Sequence, residues 1–153
     1  MSDFSELAER DWIRMADYID CEGCIRIVRG GARSHADRTQ SHGAWYGVVL
    51  HFTNTDIRMV QWCKDTFGGV VFEQTRRCRK IVYDWRAYNK DVEAILRGCM
   101  PHFVSKREQA ELAIAFRKTL TSTTRKLAPE VVAQRERMFQ RMRELKHEQV
   151  AVQ

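Results

Sequence analysis

Twice along this chain a stretch of helical periodicity is followed by two strand-like stretches joined by a polar turn, and that order narrows the folds open to it. Residues 5–21 place Leu7, Ala8, Trp12, Met15, Ala16 and Ile19 close to the 3.6-residue period of an amphipathic helix. Residues 24–29 then alternate, with Ile25 and Ile27 on one face and Cys24, Arg26 and Val28 on the other. A polar loop over residues 30–43 leads to a second strand at 45–53. Asp56 is suited to cap a helix over 57–67, which Gly68-Gly69 ends. Strands at 70–76 and 80–87 flank the basic turn Arg77-Cys78-Arg79. Asn89 is read as the cap of a helix to Cys99, stopped by Pro101, and Ser105 with Glu108 as a capping box opening the next helix. A charged helix follows from Pro129 to about residue 147. The expected fold class is α+β, an antiparallel four-stranded curved sheet with helices on one face. The expected organisation is one domain over residues 1–122, with residues 123–153 as its charged helical extension.

The charge balance bears on what the uncovered sheet face meets. Net charge is +6 and the pI about 9.3, with cations spread along the chain, a pattern that suits a polyanion partner. Arg26, His51, Gln74 or Arg76, Asp84 and Arg86 are expected to point out of the sheet, where such a face can lie in a DNA major groove. Val28, Arg33 in the polar loop and Trp45 complete the expected DNA-facing set. The last helix, with Arg135, Arg137, Arg141 and Arg143, reads as a solvated helix that can also touch DNA backbone. No apolar run is long enough to span a membrane, and the start MSDFSELAER is unlike a signal peptide. Five cysteines without a framework spacing indicate a reducing compartment, so the expected location is intracellular: a bacterial or phage-infected cytoplasm, or an organelle.

The first helix ends in an unusual way. In WIRMADYIDCEG, residues 12–23, Asp20 and Glu22 stand at a helix C-terminus, where the macrodipole disfavours carboxylates. Acids placed there are either exposed or used to hold a cation. Cys21 and Cys24 form a C-x-x-C with His35 and His42 downstream, but the spacing is poor for a zinc finger.

The stretch MADYIDCEG, residues 15–23, resembles the nine-residue signature of the LAGLIDADG homing endonucleases, and the inferred αββαββα order fits their fold. A second stretch resembles that family's other half: YDWRAYNKDVEAILRGCMPHFVSKREQAELAIAF, residues 83–116. The resemblance implies a site-specific double-strand DNA endonuclease that depends on Mg²⁺ or another divalent cation such as Mn²⁺. Its metal-binding acid would be Glu22, with the backbone carbonyl of Cys21 as a further oxygen ligand. Lys106 would sit near the scissile phosphate, Asn54 would position water, and Arg58 would supply a further cation. Asp20 matches the motif's more structural acid.

One motif copy implies a homodimer whose motif helices lie side by side through Trp12, Met15, Ala16, Asp17, Ile19 and Asp20. Each copy would then supply one Glu22 and cut one strand across the minor groove of a long, near-palindromic target, leaving short 3′ overhangs. The motif departs at Asp17, where the family usually has glycine, and at Cys21, where it has a small residue. Two facing Asp17 side chains repel unless a cation such as Arg14 pairs with them. The competing readings are a DNA-binding regulator of the same fold that has lost cleavage, and an intron RNA maturase.

Overall fold

The computed structural model describes residues 4–30, 45–75, 80–120 and 127–151. In chain order the elements are α1 (Glu9–Cys21), β1 (Cys24–Gly30), β2 (Trp45–Asn54), α2 (Ile57–Phe67), β3 (Val70–Thr75) and β4 (Ile81–Tyr88). They continue with α3 (Asn89–Cys99), a 3₁₀ turn (Met100–His102), α4 (Arg107–Thr119) and α5 (Pro129–Ala151). The four strands form one antiparallel sheet in the order β1-β2-β4-β3, so the two αββ units join through their second strands.

Register divides the sheet into two faces. Ile25, Ile27, Val48, Leu50, Phe52, Trp85 and Ala87 turn inward and are buried beneath the helices. The pairings Cys24↔His51, His51↔Arg86 and Val70↔Arg86 carry the opposite parity across all four strands. Arg26, Val28, Trp45, His51, Gln74, Asp84 and Arg86 share that outer face. Arg33 and Arg76 lie outside the described residues, as do His35, His42 and the basic turn at 77–79.

The outer face of α1 differs from the one expected. Met15, Ala16 and Ile19 are fully buried in this chain's own core. Trp12 packs between Phe4 and Phe67, and a Cβ on Gly98 of α3 would stand 2.3 Å from its ring. Met15, Ala16 and Ile19 are therefore not free for a partner, while Trp12 is partly buried; the exposed stripe of α1 is Arg10, Ile13, Arg14, Asp17 and Cys21.

The start of α3 also differs. Asn89 is the first residue of α3 and not its cap; it adopts φ 44°, which asparagine tolerates, and its side chain accepts a hydrogen bond from Val48 N (3.1 Å). Gly68 and Gly69 do end α2, both at positive φ. A Cβ on Gly69 would come within 2.5 Å of Arg86 O, while Trp85 Nε1 donates to Gly68 O (2.8 Å).

The final helix is not solvated all round. Met142 and Leu145 are buried, and so is Arg135, which donates to Thr119 O. Contacts at Arg29–Glu136 (2.8 Å) and Cys24–Lys146 (3.0 Å) run α5 antiparallel along β1. Ten helical residues and five strand residues both span about 15 Å, which lets the two elements stay in step. Thus α5 covers the free edge of β1, an edge otherwise open to pairing with another strand.

Candidate active site

The site begins where α1 stops. Gly23 N reaches back to Tyr18 O (2.9 Å) and Ile19 O (3.1 Å). A Cβ on Gly23 would stand 2.6 Å from Ile19 Cα, so only glycine permits so tight an exit into β1. The exit leaves Glu22 exposed at the helix end. Its Oε2 accepts from Asn54 Nδ2 (3.1 Å), and Asn54 Oδ1 accepts from Asp56 N (2.8 Å). The second contact fixes the amide orientation, because only Oδ1 can accept that N–H, leaving Nδ2 toward the carboxylate.

Asp20 faces the opposite way. It accepts from Val104 N (2.8 Å), Ser105 N (3.2 Å), Lys106 N (2.9 Å) and Ser105 Oγ (3.0 Å). It therefore caps α4 from a distance, and the local capping box expected of Ser105 and Glu108 does not form. Asp20 belongs to the join between α1 and α4 and not to a surface facing a partner.

Lys106 closes the same join. Its Nζ donates to Ile19 O (2.5 Å), as a second donor beside Gly23 N, and to Gly23 O (2.6 Å) just beyond the helix end. The last turn of α1 contains no basic residue of its own, so this ammonium supplies the missing positive charge. Burial lowers the Lys106 pKa below its ordinary value, against the opposing pull of Cys24, Asp20 and Cys21.

Glu22, Asn54, Lys106 and Asp20 are thus brought together. Arg58 is not: its exposed guanidinium is held by Asp56 (Nη2–Oδ2 2.5 Å), the N-cap of its own helix. The hydrogen bonds from the Arg58 side chain, then from its backbone N–H, lower the Asp56 pKa to about 2.

On the outer sheet face Asp84 is only 3% exposed. Its Oδ2 accepts from Arg86 Nε (2.8 Å) and Nη2 (2.5 Å) and from Gln74 Nε2 (3.4 Å), and the guanidinium also stacks 5.0 Å from the Phe72 ring centre. Asp84 therefore orients its neighbours and does not project into solvent. His51 Nδ1 lies 3.4 Å from Asp84 Oδ1, and Trp45 stands 62% exposed over Gly30.

One cluster escaped the sequence reading. Lys146 Nζ lies 3.0 Å from Cys24 Sγ, opposite His51, across 122 residues of chain. Burial pushes the Cys24 thiol up, but hydrogen bonds and charge from His51 and Lys146 outweigh it and bring its pKa to about 7. The C-x-x-C spacing drew attention to Cys24, but no local signal points to Lys146.

For a divalent metal the donor chemistry fits. The Glu22 carboxylate and the Cys21 carbonyl are hard oxygen donors side by side at an exposed helix end, as Mg²⁺ prefers. Among the described residues no group of three or more His, Cys, Asp or Glu side chains converges on one point, so one chain supplies only part of such a shell.

No protein-family model matches the sequence, and no curated protein matches it. Solved structures do match. The homing endonuclease I-CvuI, in complex with its target in the presence of calcium, aligns with a TM-score of 0.71 and 18% identity, over 90% of this chain and 82% of that one. The homing endonuclease I-TnaI aligns with a TM-score of 0.67 and 16% identity, over 96% of this chain and 99% of that one. The LAGLIDADG homing endonuclease I-SmaMI, bound to cleaved DNA, aligns with a TM-score of 0.65 and 15% identity, over 84% of this chain and only 42% of that one. A half-covered antiparallel sheet with an acid-tipped helix leading into its first strand is an α+β architecture of a definite kind. The chain has the LAGLIDADG homing-endonuclease fold. No helix among the described residues is long and apolar enough to cross a membrane.

Proposed function

We propose that this protein is a site-specific double-strand DNA endonuclease that works as a homodimer. The observation that carries the reading is the grouping of Glu22, Asn54 and Lys106 at the end of α1, beside an outer sheet face bearing Arg26, His51, Gln74 and Arg86. The sheet would lie in the major groove, with Arg86 held by Asp84 and Phe72 for base contact. The matched relatives are homing endonucleases, two of them in DNA complexes, which supports a DNA substrate.

Two copies are needed for a complete site. This chain accounts for less than half of the longer I-SmaMI chain but nearly all of I-TnaI, as expected if two such units act together. The exposed stripe of α1 can pair Asp17 of one copy with Arg14 or Arg10 of the other. Glu22 and the Cys21 carbonyl of each copy would hold a divalent cation, most suitably Mg²⁺, together with water and phosphate oxygens. That cation supplies Lewis-acid polarisation of the phosphate and a more acidic bound water. Asn54 fixes the Glu22 carboxylate and can orient an attacking water through its amide. Lys106 holds the backbone on which Glu22 stands. Twofold symmetry implies a long, near-palindromic target.

The test is a cleavage selection on a source-genome or randomised DNA library with Mg²⁺, run beside Glu22→Gln. Recurrent cut ends centred on a near-palindrome, absent with the variant, are the expected outcome. Retention of specific fragments without cutting would favour the DNA-binding regulator. Tight binding to one intron transcript without DNA cutting would favour the maturase.

A further inference from the structure

Between the end of α1, the start of α4 and the C-terminal half of α5 lies a cavity of about 630 Å³. Its lining includes Lys106, Lys146, Cys24 and three acids, Asp20, Glu108 and Glu148. The acids are already committed. Arg141 binds Glu108 (2.9 Å) and Glu148 (3.0 Å), and Asp20 is saturated by three backbone N–H groups and a hydroxyl. Among the described residues neither lysine pairs with a carboxylate. The uncommitted charge of the cavity is therefore positive.

The two lysines are not equivalent. Lys106 spends two of its three N–H donors on Ile19 O and Gly23 O, and releasing it would reopen the end of α1. Lys146 rests on one sulfur, a weak acceptor, at the tip of a flexible four-carbon stem. It stands over Cys24, two residues beyond Glu22 and on the outer face of the sheet. A phosphodiester arriving beside Glu22 offers Lys146 a far better acceptor than a thiol, whereas Lys106 has already found its acceptors.

We propose that Lys146 is a phosphate-contacting residue of the DNA site, the cation that meets the phosphodiester while Lys106 holds the backbone beneath it. This rests on the endonuclease reading and deepens it, placing a functional group on the C-terminal helix that no motif marks. The exchange is non-covalent: the ammonium leaves sulfur for a phosphate oxygen and no bond is made or broken.

The test uses the full chain and the target recovered by the cleavage selection. Binding is measured against salt in Ca²⁺, and single-turnover cutting in Mg²⁺, for wild type, Lys146→Met and Lys146→Arg. Lys146→Met is expected to lower the cutting rate about 100-fold and to reduce the slope of log K against log salt by about 1. Lys146→Arg should restore the slope, which a merely structural role would not predict. Lys146→Met matching wild type in both slope and rate, on DNA that wild type binds and cuts, overturns this inference alone. A wild type that binds no DNA overturns the endonuclease reading and this one with it.

Discussion

The two αββ units have the same order of elements and opposite helix ends. In the second, α2 finishes with Lys64 in its last turn and the Gly68-Gly69 pair beyond it, so its terminal carbonyls have a cation nearby. In the first, α1 finishes on Asp20, Cys21 and Glu22 with no basic residue, and Lys106 arrives from 83 residues beyond Gly23. The lesson is that a helix end satisfied locally stays structural. One left acidic needs a distant cation, and the cation's arrival joins α1, α4 and β1 into a site.

Substitutions made in pairs, one per unit, test that contrast. The largest expected effect is on cutting. Glu22→Gln should lower the cleavage rate at least about 1,000-fold with target affinity little changed, while Asp65→Asn, an exposed acid bonded to Gln61 in α2, should leave both at wild-type levels. Equal loss in both variants would remove the distinction between the units.

The exit glycines come next. Gly23→Ala and Gly69→Ala should each cost about 2–3 kcal/mol in urea unfolding, one from the 2.6 Å approach to Ile19 Cα and the other from φ +84° against Arg86 O. Only Gly23→Ala should also abolish cutting, since it displaces Glu22.

Smaller again is the cation pair. Lys106→Met removes the ammonium from both carbonyls, leaving Ile19 O with Gly23 N alone, and should cost about 2 kcal/mol. Lys64→Met, at an exposed position, should stay within about 0.5 kcal/mol of wild type. A harmless Lys106→Met would mean that α1 does not depend on its distant cap.

The smallest effect is a titration. Asp56 caps α2 and is held by Arg58, so its folded pKa lies below its unfolded value. Its contribution is present above the ordinary carboxylate pKa and is lost as the pH falls through about 2. Carboxyl chemical shifts followed against pH should show that midpoint, and Arg58→Ala should return it toward 3.8.

Much of this was legible in the sequence. The period-2 alternation of β1, β2 and β4 placed Arg26, His51, Asp84 and Arg86 on one face, because strand geometry alone dictates which side chains share a side. Gly23 and the acids before it marked the end of α1 through local electrostatics. Contacts between distant segments were not legible. Ser105 had the pattern of a capping box, yet the cap of α4 is Asp20, 86 residues before Lys106. Met15, Ala16 and Ile19 carried the apolar stripe, and a stripe does not say whether its own sheet or another copy will cover it.

By itself, then, the sequence determined the order of elements, the parity of the sheet faces and the exposed acid at the end of α1, all consequences of interactions within a few residues. The tertiary structure alone decided that β2 lies beside β4, that Asp20 and Lys106 bind α1 to α4, and that α5 runs along β1 to bring Lys146 to Cys24. The helix contacts join groups more than 80 residues apart, and β2 and β4 pair across 29 to 39. They arise because buried polar groups must find partners wherever packing brings the chain, a requirement that no local pattern records.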